Sequence, residues 1–403
     1  MHAELRPADP DPTDSQQALL RLHAAGGTTA SRRQLLESHA TPAAALAAGR
    51  RAWRDAGLDD AQIRALEREE TDDLARSRTW LAQPDHHLLG WHDADYPPLL
   101  RRISSPPLAL FVAGNPALLW HPSVAVVGSR SPTAGGRDNA YDFAHALATS
   151  GLAVASGLAA GIDTAAHQGA LAVESGLTIA VLGTGPDVAY PRDNAALMSQ
   201  IADRGTVVSE HAPGTQVRRE HFPSRNRILA GLSLGTLVIE AALRSGALIT
   251  ARCASEGGRD VFAVPGSIHN PLARGCHRLI RDGAGLVERA DEVIAALMPM
   301  AAELAATLRQ RLDIPTTGPV EHPRTPIQPP LLDDPDYQRL WAALGHDPTG
   351  MDRLIDRTGL TAAELSSMLL VMELEGHVSN LHGRYTRKTL SPNAPETGAG
   401  RGK

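Results

Sequence analysis

Cysteine is scarce in this chain: Cys253 and Cys276 are the only two in 403 residues. They have no metal-ligand spacing, so neither a dedicated zinc site nor a disulfide framework is expected, and reduced thiols in a cytoplasmic setting are. Lysine is as rare, with Lys388 and Lys403 alone among 39 basic residues. Arginine at any one position therefore says nothing about a choice over lysine. Aromatic residues make up 3% of the chain, which limits base stacking. No run approaches the roughly 20 apolar residues that a membrane helix needs. The opening MHAELRPADPDPTDS has no apolar stretch of the kind a signal sequence carries. The net charge of −6 excludes generic attraction to nucleic acid, so any such binding must come from a local patch.

A hydrophobic content of 42% with 21% charged residues describes a folded chain, and its length calls for two or three domains. Residues 15 to about 80 show helical periodicity, with Leu19, Leu20 and Leu22 before the Gly26-Gly27 break and Leu35, Leu36, Ala43 and Leu46 after it. A proline-rich bridge follows, with a short strand expected over Leu108 to Val112. From Ser123 onward, apolar strand-length runs begin at 124, 152, 178, 206, 236 and 261. Helical stretches alternate with them at Arg137 to Ser150, Asp163 to Ser175, Asn194 to Arg204 and Gly246 to Gly257. Continuously apolar strands alternating with helices predict a parallel sheet covered on both faces, an α/β core of Rossmann-like type.

The spacing predicts a helix at 301–312 and then a proline-rich extended linker. A last unit over 333–388 reads as three helices, near 335–345, 349–358 and 361–375, and a hairpin through His377 to Arg387, resembling a winged helix. The expected domains are thus a helical one at 1–82, the Rossmann-like one at 83–300, a linker at 301–332, the winged helix at 333–390 and a disordered tail at 391–403.

The most informative segment is HFPSRNRILAGLS, His221 to Ser233. It sets Arg225 and Arg227 around Asn226 where a helix begins after a strand, and helix N-termini favour anions that arginine forks can clamp. Arg218 and Arg219 add charge against Glu220 alone, so residues 218 to 227 carry a net +3. Phe222 is the one aromatic within this cradle. The first long strand ends in Gly128-Ser129-Arg130, a turn able to approach a phosphate closely. Ser156-Gly157 and Ser245-Gly246 stand at two further strand–helix junctions.

The dinucleotide fingerprint G-x-G-x-x-G is missing: at Gly183-Thr184-Gly185 the sixth position is Val188, and no NAD or other cofactor is expected. Asp163 reads as a helix N-cap and His167 as a packed histidine. Glu240, at the end of GTLVIEA, could be a general base or could bind loop N–H groups, and the structural reading is favoured. In the final unit, nine acidic residues against six basic ones give −3, and its candidate recognition helix lacks arginine and lysine. That argues against groove reading, which needs basic side chains. Only the wing, with Arg384, Arg387 and Lys388, is basic.

Five stretches together resemble the DprA/Smf family of DNA-processing proteins: GSR at 128–130, SGLAAGIDTAAHQGAL at 156–171, GTGPDVAYPRDNAAL at 183–197, HFPSRNRILAGLS at 221–233 and GTLVIEAALRSGALITARCASEGGRDVFAVPG at 235–266. The N-terminal helices resemble that family's sterile-alpha-motif-like domain and the last unit its winged helix. The resemblance implies a non-enzymatic protein of natural transformation that binds and protects incoming single-stranded DNA, bypasses single-strand-binding protein and loads RecA recombinase. It also implies a homodimer. By position, Arg130, Arg225 and Arg227 would line the phosphate pocket with Phe222 against a base, and Arg219 stands where many relatives have lysine.

The nucleic-acid-binding set is accordingly Gly128, Ser129, Arg130, Ser156, Gly157, Arg219, Phe222, Arg225, Asn226, Arg227, Ser245 and Gly246, with no catalytic or metal residue. Glutamate at Arg225 and Arg227 is expected to abolish binding and leave the fold intact. A nucleotide-processing enzyme resembling the cytokinin-activating phosphoribohydrolases is the alternative. Those enzymes carry a PGG stretch where this chain has Leu232, Ser233 and Leu234. A winged-helix transcription regulator is a third reading, opposed by the acidic helix.

Overall fold

The computed structural model describes residues 12–68, 70–311, 335–344, 349–374, 377–381 and 384–387. The chain divides into two compact units, Met1–Thr316 and Thr317–Lys403.

The first unit opens with six helices: α1 (Pro12–Ala24), α2 (Thr29–Glu37), α3 (Pro42–Ala47), α4 (Gly49–Asp55), α5 (Asp60–Leu66) and α6 (Asp72–Leu81). Their starts carry local signals. Thr41 and Thr71 cap α3 and α6, and Asp59 with Gln62 forms a reciprocal capping box at α5. Then come β1 (His86–Gly90), α7 (Pro98–Arg101), β2 (Ala109–Gly114), β3 (Ser123–Val127), α8 (Ala134–Thr149), β4 (Ala153–Ser156), α9 (Ile162–Leu171), β5 (Thr178–Leu182), α10 (Ala195–Arg204) and β6 (Thr206–Ser209). The unit closes with α11 (His221–Leu232), β7 (Gly235–Val238), α12 (Ala247–Glu256), β8 (Asp260–Ala263), α13 (Arg274–Arg281), β9 (Gly285–Leu286) and α14 (Ala290–Arg311).

All nine strands form one sheet, in the order β1-β2-β6-β5-β4-β3-β7-β8-β9. From β6 to β9 every neighbouring pair is parallel, while β1–β2 and β2–β6 are antiparallel. The expected parallel core is therefore extended by an antiparallel edge, and the strand expected at Leu108 to Val112 is β2. Because side chains alternate across a strand, Val124 and Val126 of β3 enter one core with Val154, Phe143 and Leu297. Ala125 and Val127 enter the opposite core with Val181, Ile228 and Val238.

The N-terminal helices do not stand apart as a separate domain ending at residue 82. Leu19 of α1 packs with Leu108 and Ala109, and Leu20, Leu74 and Trp80 pack with Phe111 of β2. The chain order of the strands gives the reason: β2 adds an antiparallel edge whose apolar side chains need a cover. The linker placed at 301–332 likewise begins later. α14 continues through Arg311, and its Ala301 and Leu304 are buried in the core beside β3. Residues 312–334 and the tail at 391–403 lie outside the described residues.

In the second unit, α15 (Pro335–Ala343), α16 (Met351–Thr358) and α17 (Ala362–Leu374) pack around Leu340, Leu354, Leu365 and Leu369. The hairpin is β11 (Val378–Leu381) with β12 (Arg384–Arg387), joined by a short third strand, β10 (Thr349–Gly350). Of the basic residues on the wing, Arg387 is engaged within this unit: it lies 4.6 Å over the Trp341 ring and donates to the Trp341 carbonyl. Lys388 is outside the described residues. No helix among the described residues is long and apolar enough to cross a membrane.

Candidate nucleic-acid interface

The chain runs outward from β3 through β4 and β5 to β6, then returns to place β7 on the other side of β3. At such a reversal the connections leave the two strand ends in opposite directions and open a crevice, where sheets of this kind bind ligands. A cleft of about 940 Å³ lies there. Gly128, Ser129 and Arg130 line it from the end of β3, Ser245 and Gly246 from the start of α12, and Arg219, Phe222, Arg225 and Asn226 from α11 and its approach. The structure thus gathers nine of the twelve expected residues.

The turn after β3 is held from several sides. The Ser129 N–H donates to the Glu240 carbonyl at 2.7 Å, and the Ile162 N–H donates to the Ser129 carbonyl at 3.1 Å. A side chain at Gly128 would meet Ile162 at 2.6 Å, so only glycine lets α9 approach. Asp163 is not the N-cap of α9; Gly161 takes that place at a φ of 86°. Buried in the first turn, the Asp163 carboxylate instead accepts from the N–H groups of Gly157 at 3.1 Å and Ala159 at 3.3 Å. Burial pushes its pKa up, and the nearby Arg225 guanidinium opposes that shift.

Arg225 is 4% exposed. Its Nη1 donates to the Gly157 carbonyl at 2.8 Å and to the Val181 carbonyl, while Nε donates to Asn226 Oδ1 at 3.3 Å. Burial lowers its pKa to about 10. Its first role is thus to tie α11 to the ends of β4 and β5. Asn226 Nδ2 donates to the Gly246 carbonyl at 3.3 Å, fixing the start of α12. Glutamate at Arg225 would place an anion among carbonyl oxygens, so such a variant should lose stability, against the expectation that its fold stays intact.

Three expected residues do not line this cleft. Ser156 is fully buried and donates to the Val126 carbonyl at 2.6 Å. Gly157 lies behind Arg225, where a Cβ would meet the guanidinium at 2.4 Å. Arg227 faces the other flank of α11 and pairs with Glu210. Residues two apart on an α-helix differ by about 200° around its axis, so Arg225 and Arg227 cannot share a side. That spacing is visible in the sequence once the segment is read as helix rather than as a cap.

The cations exposed along the cleft are Arg130, Arg219 and Arg244. The Arg130 guanidinium sits 5.3 Å over the Phe222 ring. Phe222 also faces Tyr190, with ring centres 5.3 Å apart and planes tilted by 46°. Tyr190, Arg244, Val217 and Ile249 were not in the expected set. Arg244 directly precedes Ser245, so its neighbourhood was in view. Tyr190 belongs to a distant loop that only the fold brings to Phe222.

Glu240 is spoken for. Its carboxylate accepts from the Thr133 N–H at 2.9 Å, the Thr133 hydroxyl at 2.7 Å and Asn270 Nδ2 at 3.0 Å. These bonds hold the start of α8 and the loop before α13, as the structural reading of this residue requires. His167 is also a packing residue: fully buried, its Nδ1 bonds the Thr178 hydroxyl at 2.7 Å. Cys276 is buried and burial raises its pKa to about 11, while Cys253 is half-buried; both are free thiols. No cluster of potential metal ligands occurs among the described residues.

A doubly wound sheet with a basic, aromatic crevice at its switch point defines a Rossmann-class protein. The profile of the DNA recombination-mediator protein A family matches residues 87–298, and that of the DprA winged helix domain matches residues 322–384. The chain is 40% identical over 315 residues to Protein Smf of Escherichia coli (strain K12), covering 78% of this chain and 80% of that protein. It is 47% identical over 226 residues to DNA processing protein DprA of Streptococcus pneumoniae, covering 56% of this chain and 78% of the relative. The X-ray structure of DNA processing protein A from Streptococcus pneumoniae matches with a TM-score of 0.62 at 39% identity, over 70% of this chain and 98% of that one. The chain belongs to the DNA recombination-mediator protein A family.

Proposed function

We propose that the protein binds single-stranded DNA in the switch-point cleft, protects the incoming strand and loads RecA onto it during natural transformation. It acts by binding, without covalent chemistry, and as a homodimer. The observation that carries the reading is that Arg130, Arg219 and Arg244 line the same cleft as the Phe222–Tyr190 pair, with Arg130 over the Phe222 ring. Guanidinium groups take phosphate oxygens of any sequence, and two adjacent rings offer stacking faces to unpaired bases. In a chain of net charge −6, attraction of a polyanion needs such a local concentration of cations. Base pairs would hide the faces that the rings need, which favours single strands over duplex.

The test is fluorescence anisotropy with oligo-dT across a salt series, using the Arg130→Glu/Arg219→Glu double variant. Both side chains are exposed, so the fold should be retained, and this is checked by circular dichroism. Binding should fall steeply with salt, by a log–log slope of about −0.7 per phosphate neutralised, and the variant should lose it. Unchanged affinity in the variant would overturn the assignment of the cleft. RecA strand exchange on strands precoated with single-strand-binding protein, with and without this protein, tests the loading step. Light scattering tests the homodimer.

A further inference from the structure

A second cleft, of about 1100 Å³, lies on the other flank of α11, between the N-terminal helices and the connection from β6. The two clefts share a wall, and the segment that builds it alternates between them. Arg219, Phe222 and Arg225 line the first, whereas Arg218, His221, Ser224 and Arg227 line the second. Adjacent residues, Arg218 and Arg219, thus present cations to different clefts.

The second cleft is basic. Six arginines line it against three carboxylates, Asp72, Asp73 and Glu210. Glu210 is taken by Arg227, and Asp73 pairs with Arg76 at 2.9 Å. Arg32 is bound to the carbonyls of Leu22, His23 and Gly27 and serves the fold. Arg68 and Arg218 remain exposed at the rim. Deeper in, Arg21 Nε and Arg227 Nη1 are buried without a hydrogen-bond partner. His23 and His211 add no positive charge of their own near neutral pH, since burial lowers their pKa values to about 4 and about 3. An excess of cationic donors in a walled cleft concentrates field on an anion.

We propose that this second cleft takes the phosphodiester backbone of the same single strand after it leaves the first cleft and crosses the N-terminal end of α11. The inference rests on the binding mode proposed above. A helix is about 10–12 Å across with its side chains, a distance that a few nucleotides of an extended strand cover. A short strand would therefore fill the first cleft alone, and a longer one would engage both.

The experiment compares wild type with the Arg68→Glu/Arg218→Glu variant on oligo-dT of about four and about twenty nucleotides, with salt series for both. The variant should bind the short strand like wild type. On the long strand its affinity should drop at least tenfold, and its salt slope should be shallower by about 1.4, two phosphates at about 0.7 each. Equal affinities on the long strand, or equal losses on both strands, would overturn the second cleft while leaving the first in place. Wild type that binds neither strand would overturn the underlying reading. A third arm titrates dTMP and inorganic phosphate: saturable binding that the variant loses, without any length effect on DNA, would make this a free-nucleotide site and overturn the strand path.

Discussion

Arg225 donates from Nη1 to the Gly157 carbonyl at 2.8 Å, joining α11 to the loop after β4 across 68 residues of sequence. The contact sits behind the cleft and supports its floor. Gly157 has no side chain because the guanidinium occupies that space, and Asp163 holds the same loop from the other side. One buried cation thus ties the ends of β4 and β5 to α11.

Arg225→Ala should destabilise the protein by about 3 kcal/mol, since it leaves buried carbonyls unpaired and the Asp163 carboxylate without its counter-charge. Gly157→Ala should cost about 1–3 kcal/mol by pushing the guanidinium away. Because both changes break one contact, the double variant should lose less than the two single losses added together. Urea denaturation of the four proteins measures this, and strict additivity would show that the contact is not shared.

Phe222→Ala should weaken single-strand binding by about 1–3 kcal/mol, the usual worth of one stacked base. Its salt slope should match wild type, because no phosphate contact is lost. Tyr190→Ala should behave alike. A changed slope with unchanged affinity at low salt would count against stacking at this pair.

Glu240→Ala should lower stability by about 2 kcal/mol, because Thr133 and Asn270 lose a buried acceptor. Glu240→Gln, which keeps an oxygen, should lose less. Thermal melts compare them. If wild type instead released free base from nucleoside monophosphates and Glu240→Gln abolished that release, the glutamate would be catalytic.

Acid should destabilise the fold through its buried histidines. Burial lowers His167 from 6.5 to about 3. The unfolded chain then binds the proton that the folded chain refuses, so stability is full above about pH 6.5 and falls as pH drops toward 3. Each such histidine contributes about 1.4 kcal/mol per pH unit within that window. His167→Gln should therefore show a shallower loss of stability between pH 6.5 and pH 4 in urea titrations. Parallel curves for variant and wild type would place His167 outside the effect.

Much of the fold is legible because its strands are covered on both faces. VAVV, AVAS and TIAVL are continuously apolar for that reason, and each is a strand of the parallel core. β1 escapes such reading: its His86-His87 start is polar, and it becomes a strand by pairing with β2. The start of α14 was missed as well, since Pro299 inside the helix reads locally as a break. At the site, Gly128 to Arg130 and Arg219 to Asn226 stand out by residue type and local position. Tyr190 does not, because nothing near it in the chain marks it as a neighbour of Phe222.

The sequence by itself determined that the chain is an α/β protein with a local excess of arginine and no dinucleotide fingerprint, since composition and periodicity are properties of neighbours along the chain. Only the tertiary structure decided which of those arginines act together. The reversal between β3 and β7 brings residues 128–130, Arg219, Phe222, Arg225, Asn226 and residues 244–246 to one crevice. The helical turn sends Arg227 to the opposite flank, and burial turns Arg225 from a ligand clamp into a structural tie. Charge is written in the sequence, but the direction in which each charge points is set by helix phase and by the crossing of parallel strands.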